Sequence, residues 1–256
     1  MKRQRLNKIG RAIEKYFFDR NLDEEAKIYL KYHSKRYSHL LKVASEIRAL
    51  IPETNIRIMD IGPSFFTELL VKNLPQDSIS TLGFDYNKSR GGHFPLSINY
   101  DKSSFVNFDL NDAQYPEKLI KIPLCDMVIM AEVIEHLYTA PTLVFNFIKS
   151  FLKEDGYLLI QTPNAAALIK RINLLFGKNP YEMIRENRDN PGHFREYTKA
   201  ELFSIAQKSG FKIIRFIYKN YFNRLSLKEK IYGFILNFLP VSLRDGITIV
   251  LQKRPE

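Results

Sequence analysis

The chain has 256 residues, a net charge of +11 and a hydrophobic content of 45%. The length fits one domain, or a domain with an elaborated insert, and the apolar content excludes bulk disorder. The single cysteine, Cys125, excludes a disulfide framework within the chain, and the basic start lacks the apolar stretch of a signal peptide. We therefore expect a reducing, cytoplasmic setting. The positive net charge suits nucleic acid, anionic lipid or phosphorylated substrates as partners.

Residues 1–50 are predicted to be helical, because apolar side chains recur at helical spacing, as they do between Tyr29 and Ile47. We expect this segment to be an N-terminal cap packed on a main domain that spans residues 51–256. An arm that binds a partner or touches a membrane is the alternative.

The main domain begins with a strand, Ile56 to Ile61, followed by a tight turn at Gly62 and an apolar helix. This succession is typical of the start of a nucleotide-binding α/β unit. A second strand, Ile79 to Phe84, ends at Asp85, which lies 25 positions after Asp60. That spacing suits a carboxylate that accepts both ribose hydroxyls of a bound nucleoside. The structural alternative for Asp85 is a helix cap or a turn residue.

Strands and helices continue to alternate along the chain, which predicts a parallel, doubly wound α/β sheet. The third strand runs to Asp109, and a turn at Asp155 and Gly156 precedes the fifth. The predicted third to seventh strands are Phe105 to Phe108, Cys125 to Met130, Tyr157 to Gln161, Phe211 to Tyr218 and Ile247 to Gln252, with a helix from Pro141 to Leu152.

Two segments interrupt this alternation. Residues 165–198 form an insert with a helix from Ala165 to Phe176 and a polar loop that contains His193, and we expect it to select the acceptor. Residues 225–245 are apolar and amphipathic, and are predicted to form a helical segment packed on the sheet. Contact with a membrane surface or with a second subunit is the alternative for this segment.

The apolar strand from Cys125 to Met130 leads directly into Glu132, Glu135 and His136. Ligands of open α/β sheets bind beyond the carboxyl ends of the strands. One helical turn would place these three side chains on one face, and His193 would complete a set of two carboxylates and two imidazoles. Such a set suits Mg²⁺, Mn²⁺, Fe²⁺ or Zn²⁺. The alternative is that these side chains contact a cofactor, pair with a basic residue and hydrogen-bond within the cleft.

Short motifs in a fixed order carry a family resemblance: Asp60-Ile-Gly62, Asp85, Asp109, Ala131 to Leu137, Leu152 to Gly156, Thr162-Pro-Asn164 and Gly192 to Thr198. Over about residues 30–220 the chain resembles class I S-adenosylmethionine-dependent methyltransferases. It is most similar to the ubiquinone-biosynthesis O-methyltransferase group and its members among bacterial surface-polysaccharide enzymes. The resemblance implies a Rossmann-like sheet of seven strands whose last strand runs antiparallel.

The resemblance also implies roles for single residues. The Gly62 turn would hold the methionine part of the cofactor, Asp85 the ribose and Asp109 the adenine amino group. The other cofactor contacts that we predict are Asp60, Ser64, Tyr86, Leu110 and Glu132. The chain departs from the family pattern at Ser64 and near Phe66, where further glycines are usual, so the cofactor's carboxylate is expected to meet a bulkier loop.

The polar cluster is similar to that of the small-RNA terminal 2′-O-methyltransferases, in which a divalent metal lies against the acceptor hydroxyls. This resemblance implies a metal site at Glu132, Glu135, His136 and His193, with the last three as catalytic residues. Without a metal, His136 or His193 would act as the general base, because imidazole titrates near neutrality.

The sequence therefore predicts an S-adenosylmethionine-dependent methyltransferase. We expect O-methylation of a sugar, a glycan or a lipid-linked acceptor, assisted by a metal, with peripheral membrane contact as a further expectation. RNA 2′-O-methylation and a non-catalytic binding protein on the same fold are the alternatives. A nicotinamide enzyme shares the glycine turn and the acidic residue, but the segments 132–137 and 162–164 argue against it.

Overall fold

A computed structural model describes residues 13, 22–83, 105–187, 190–223 and 226–255 of the chain. Asp85 and Tyr86, two of the predicted cofactor contacts, lie outside the described residues. So does most of the first half of the predicted N-terminal cap. Among the described residues, no helix combines the length and the apolar character needed to cross a membrane.

Within the described residues, seven strands form one sheet. They are β1 (Arg57–Ile61), β2 (Ser78–Gly83), β3 (Phe105–Asn107), β4 (Cys125–Ala131), β5 (Leu152–Pro163), β6 (Phe211–Lys219) and β7 (Gly246–Lys253). Their order in the sheet is β3-β2-β1-β4-β5-β7-β6. Strands β1 to β5 pair in parallel, whereas β7 runs antiparallel to both β5 and β6. The predicted fold is thereby confirmed, and the strand order reverses between β1 and β4, where such folds form their ligand crevice.

Helices cover both faces of the sheet. They are α1 (Glu24–Arg48), α2 (Phe65–Asn73), α3 (Pro141–Ser150), α4 (Leu168–Leu175), α5 (Lys199–Lys208) and α6 (Leu227–Ile235). Because successive side chains of a strand point to opposite faces, β4 supplies both apolar layers. Met127 and Ile129 pack with α1 and α2, while Val128 and Met130 pack with α3 and α5. The central strand is therefore buried on both sides, and its functional side chains follow only after it ends.

Three elements have a boundary that differs from the prediction by more than two residues. Strand β5 begins at Leu152 rather than Tyr157, because Leu152 already pairs with Cys125 of β4. Tyr157 pairs with Met127, and the register is irregular between these two pairs. Asp155, with φ 59°, lies within this irregularity. The insert helix is shorter than predicted, since α4 spans only Leu168–Leu175. Helix α6 ends at Ile235, ahead of Pro240, which cannot continue a helix.

Arg48, at the end of α1, fixes that helix to the sheet. Its Nε donates to Asp77 Oδ2 at 2.7 Å, and its other nitrogens donate to the backbone carbonyls of Ile51, Glu53 and Thr54. Asp77 is buried, and its Oδ1 accepts the N–H of Ile56 just before β1. The helix therefore packs directly on the sheet, while the predicted division of the chain at residue 50 stays a prediction.

Replacing Arg48 by Met is expected to lower the free energy of unfolding by about 3–5 kcal/mol, because it leaves the Asp77 carboxylate buried and unpaired. Urea denaturation measures this change. The matched control is Lys42→Met, which removes an exposed pair with Glu46 and is expected to cost less than about 1 kcal/mol. Equal losses in the two variants would contradict the proposed role of Arg48.

His39 links α1 to the far side of the sheet in a neutral state. Its Nδ1 lies 2.9 Å from Lys219 Nζ, which can only donate, so Nε2 carries the hydrogen toward Thr248 Oγ1 at 3.2 Å. Burial, and then the charges of Lys219, Lys42 and Arg215, together lower the pKa of His39 to about 3.

The free energy of unfolding should consequently fall as the pH drops below about 6.5, the ordinary pKa of histidine in an unfolded chain. Between that value and the folded pKa of about 3, the unfolded state binds the extra proton at His39, and each pH unit costs at most about 1.4 kcal/mol. Urea denaturation of the parent and of His39→Gln between about pH 7 and pH 5 measures it. We expect a flatter dependence in the variant, and parallel curves would contradict the assignment.

Candidate functional site

Two left-handed residues shape the site at the carboxyl ends of β1 and β4. Gly62, with φ 78°, follows β1, and a Cβ there would lie only 2.8 Å from Val133 Cγ2. Glu132, with φ 57°, follows β4, and its N–H donates to the Gln161 carbonyl at 2.7 Å. Only glycine adopts such a conformation without strain. The loops after the two strands therefore both contain an uncommon backbone conformation, and the one at Glu132 is strained.

The predicted helical turn over Glu132 to His136 is wrong. The left-handed conformation of Glu132 interrupts it, and a 3₁₀ helix covers only Ile134–His136. Glu132 therefore does not share a helical face with the other two side chains. Among the described residues, Glu135, His136 and His193 instead bring one potential ligand atom each to within 4.8 Å of one another.

Glu135 is completely buried. Its Oε2 accepts a hydrogen bond from Thr162 Oγ1 at 2.9 Å, whereas its Oε1 has no hydrogen-bond partner. Burial, followed by the nearby charge of Glu132, raises the pKa of this carboxyl well above its usual range. The Thr162 motif thus fixes the orientation of Glu135 and leaves one of its oxygens without a hydrogen-bond partner.

His136 is held in one tautomer by the insert. Its Nδ1 lies 2.9 Å from the carbonyl of Gly192, which can only accept, so Nδ1 carries the hydrogen and Nε2 keeps its lone pair. Gly192 has φ 88°, and a Cβ at this position would overlap the carboxylate of Glu182. Burial lowers the pKa of His136 and so favours the neutral ring.

His193 reaches the cluster from the insert, as the sequence required. Its ring lies edge-on to that of His136, with centroids 4.7 Å apart. Its Nδ1 contacts Glu196 Oε1 at 3.2 Å, and Glu196 also pairs with Lys170, so the carboxylate accepts and Nε2 again keeps its lone pair. Burial, and then the neighbouring His136, lowers the pKa of His193 to about 4.

Backbone contacts hold the insert against the cluster. The N–H groups of Phe194 and Arg195 both donate to the Glu135 carbonyl, at 2.8 Å and 3.2 Å. At the start of the insert, the buried amide of Asn164 donates to the carbonyls of Ser242 and Arg244 at 2.9 Å and 2.7 Å. The sequence marked the Asn164 motif but gave no sign of this connection to the segment before β7.

The sequence interpretation missed Arg36 as a site residue. This arginine of α1 is 3% exposed, and its Nε has no hydrogen-bond partner. It lies within the electrostatic influence of Glu132, whose Oε1 is likewise buried without a partner. A signal was available, because Arg36 falls at helical spacing with the buried Leu40, Val43 and Ile47 and so belongs to the apolar stripe of α1.

Other predicted cofactor contacts lie along the same edge. Asp60 is buried at the end of β1, its Oδ2 accepts from Thr67 Oγ1 at 2.7 Å, and burial raises its pKa to about 7. The Ser64 side chain caps α2. Asp109 caps the 3₁₀ helix that begins at the buried Leu110, accepting from the Asn111 N–H at 2.8 Å.

Phe66 does not crowd the turn after β1. Its side chain is buried in the core beneath α1 and stacks on Tyr37, with ring centroids 6.0 Å apart. The phenylalanine that stands where the resembled family often has glycine therefore belongs to the helix–sheet packing. The bulk that we expect the cofactor's carboxylate to meet in the turn after β1 therefore comes from Pro63 and Ser64.

A parallel sheet whose strand order reverses, with a glycine turn at the reversal, defines a doubly wound α/β protein that binds its ligand in this crevice. The chain belongs to the methyltransferase domain family, whose model, described as "Methyltransferase domain", matches residues 29–215. No curated protein matches the chain.

Several solved structures are similar to the chain at low sequence identity. The pyocyanin biosynthetic protein PhzM is 15% identical, with 93% of this chain and 61% of that chain covered and a TM-score of 0.50. A SAM-dependent methyltransferase from Archaeoglobus fulgidus is 19% identical over 84% of this chain and 94% of that chain, with a TM-score of 0.47. The N-methyltransferase NodS from Bradyrhizobium japonicum is 13% identical over 86% of this chain and 96% of that chain, with a TM-score of 0.46.

The protein is a methyltransferase, and S-adenosylmethionine is the cofactor that its family implies. The residues at the crevice suit that group, whose amino-acid end carries one carboxylate and one ammonium. Arg36 offers a buried, unpartnered guanidinium nitrogen, and Glu132 offers a buried, unpartnered carboxylate oxygen. Each group lies within the electrostatic influence of the other, so the two suit the oppositely charged ends of one zwitterion.

Proposed function

We propose that the protein transfers the methyl group of S-adenosylmethionine to a hydroxyl oxygen of a sugar, a glycan or a lipid-linked acceptor. We further propose that Glu135, His136 and His193 act on that hydroxyl with the help of a divalent cation. The observation that supports this site is the convergence of one carboxylate and two neutral imidazoles within 4.8 Å at the reversal of the sheet.

The cofactor would lie across the carboxyl ends of β1, β2 and β3. In this proposal the Gly62 turn receives the methionine end, and Arg36 binds its carboxylate by a charge-assisted hydrogen bond. Asp85 receives the ribose and Asp109 the adenine amino group, as the family resemblance implies. The remaining proposed contacts are Asp60, Ser64, Tyr86, Leu110 and Glu132.

Replacing Arg36 by Met should raise the dissociation constant for S-adenosylmethionine about 10- to 100-fold, because the carboxylate loses a charge-assisted partner. Isothermal titration calorimetry measures the constant, and circular dichroism checks the fold. The control is Arg57→Met, an exposed arginine at the opposite end of β1. An unchanged constant in Arg36→Met would contradict the assignment, and no binding by the parent protein would favour a non-catalytic scaffold.

The histidines support the metal proposal through their outer contacts. Metal-binding histidines characteristically donate their second ring N–H to a carbonyl or a carboxylate, which fixes the ring and the tautomer. His136 does so to Gly192, and His193 does so to Glu196. Two imidazoles and one carboxylate favour Mn²⁺, Fe²⁺ or Zn²⁺ over Mg²⁺. A cation bound there would act as a Lewis acid on the acceptor hydroxyl.

Glu132 was also predicted as a metal ligand. Its carboxylate is not part of the cluster of Glu135, His136 and His193, and the electrostatic influence of Arg36 on it favours a place beside the cofactor instead. We therefore assign Glu132 to the cofactor side of the crevice and Glu135 to the acceptor side. Lys170, whose pKa burial lowers to about 8, lies near both carboxylates and balances part of their charge.

Glu135→Gln and His193→Gln should each weaken Mn²⁺ or Zn²⁺ binding by at least about 10-fold, whereas S-adenosylmethionine binding stays within about twofold. Calorimetry on chelator-treated protein measures both. Glu186→Gln, which removes an exposed carboxylate of the same insert, is the control and should bind like the parent. If the parent binds neither metal at millimolar concentration, the metal is refuted.

If no metal binds, the neutral imidazoles of His136 and His193 would act without one. Nε2 of His136 or His193 holds a lone pair and would accept the proton of the acceptor hydroxyl as a general base. Activity that survives a chelator but is lost in the histidine variants is the expected result of this route. Full activity in Glu135→Ala and His193→Ala would contradict any catalytic role of the cluster.

Transfer of a labelled methyl group tests the class of acceptor directly. The protein is incubated with methyl-labelled S-adenosylmethionine and separate pools of nucleotide sugars, polysaccharide, lipid-linked glycan and RNA. We expect label in a carbohydrate or lipid-linked pool, and label confined to RNA would overturn the proposed acceptor class. A cytoplasmic location, consistent with the single buried thiol of Cys125, stays a prediction.

A further inference from the structure

An exposed apolar surface lies beside the site. We define the apolar face as residues 165–187 and 226–244, which contain α4, α6 and the loops that follow them. This face carries 14 of the 26 large hydrophobic side chains that are exposed in the described residues. The most prominent, each between 64% and 84% exposed, are Leu175, Phe176, Met183, Leu227, Phe234 and Phe238. A patch of this kind marks an interaction surface rather than scattered surface residues.

The two helices of the apolar face lie next to each other. The Ile169 N–H, in α4, donates to the hydroxyl of Tyr232, in α6, at 3.1 Å. That hydroxyl in turn donates to Asp245 Oδ1 at 3.3 Å, directly before β7. The backbone of one helix is therefore bonded to a side chain of the other, and this link is tied to the residue before β7.

The charge of the apolar face points to its partner. Its two segments contain seven Lys or Arg residues and three Glu residues. Arg171 and Lys178 are exposed in the first segment, and Lys228 and Lys230 are exposed in the second. Helices with Leu and Phe on one side and Lys or Arg at their flanks bind in the plane of anionic membranes. Pairing of two copies through this face would instead bring like charges together, which interfaces avoid.

We propose that the apolar face docks the protein on an anionic membrane surface. Leu175, Phe176, Phe234 and Phe238 enter the boundary between headgroups and acyl chains, and the basic side chains contact anionic headgroups. The docking deepens the proposed function, because it brings a lipid-linked acceptor to the insert. Binding to the membrane itself does not depend on methyl transfer.

Helix α4 relates this face to the cluster. Lys170, between the exposed Ile169 and Arg171, is turned inward, pairs with Glu196 and lies near Glu132 and Glu135. One helix therefore presents apolar side chains outward and a half-buried cation toward the candidate catalytic carboxylates. An acceptor held at the membrane surface would be one helix away from the cluster.

The test is co-sedimentation with vesicles of phosphatidylcholine alone or with about one third phosphatidylglycerol. We expect the parent protein to pellet with the anionic vesicles and binding to weaken with added salt. The double variant Phe176→Glu/Phe234→Glu should lose at least about tenfold in affinity. The matched control is Ile28→Glu/Leu124→Glu, which adds the same charges at exposed apolar residues elsewhere and should lose less than about twofold.

Failure of the parent to pellet with anionic vesicles, or an equal loss in the control, would overturn the proposal. Light scattering after size exclusion measures the oligomeric state. If the protein does not bind vesicles but forms a dimer that the double variant dissociates, the apolar face is assigned to self-association. Calorimetry with S-adenosylmethionine on the same variants keeps the two proposals apart. Intact cofactor binding without vesicle binding refutes docking alone, and the reverse refutes the proposed enzyme alone.

Discussion

The candidate site depends on one contact, the docking of the segment 192–195 on the 3₁₀ helix after β4. The Glu135 carbonyl accepts the N–H groups of Phe194 and Arg195, and the Gly192 carbonyl takes the Nδ1 hydrogen of His136. Each side of the contact thus satisfies polar groups of the other, which a buried backbone requires. The geometry of the two histidines follows from it, because the same contact fixes the tautomer of one and the approach of the other.

This docking places costly groups at the end of the sheet. The Glu135 carboxyl is buried with one oxygen unpaired, and the nearby Glu132 raises its pKa further. Unpaired polar groups in protein interiors are uncommon and mark sites that act on ligands more often than they mark packing. The buried Arg36 and both amide atoms of Gln161 share this property. Their convergence on the ends of β1, β4 and β5 separates this edge of the sheet from the opposite one.

The sequence was most informative where burial is complete. Strand β4 begins at Cys125 as predicted, because a run of apolar residues buried on both faces has few other solutions. The antiparallel last strand came from the family resemblance and is confirmed. The left-handed Glu132 could not be predicted, since no local pattern favours that conformation for a glutamate; it occurs where the neighbouring Val133 lies close to Gly62. Arg36 was overlooked because a charged residue is seldom fully buried, even at a position within an apolar stripe.

The insert, residues 165–198, contributes side chains both to the candidate site and to the apolar face. Its loop carries His193 to the cluster, while α4 exposes Leu174 and Leu175 on the other side. Asn164 anchors its beginning and the Glu135 carbonyl anchors its end, so α4 is confined between two fixed points. A rearrangement of the exposed side of α4 would therefore reach Lys170, and through it the charge balance of Glu132 and Glu135.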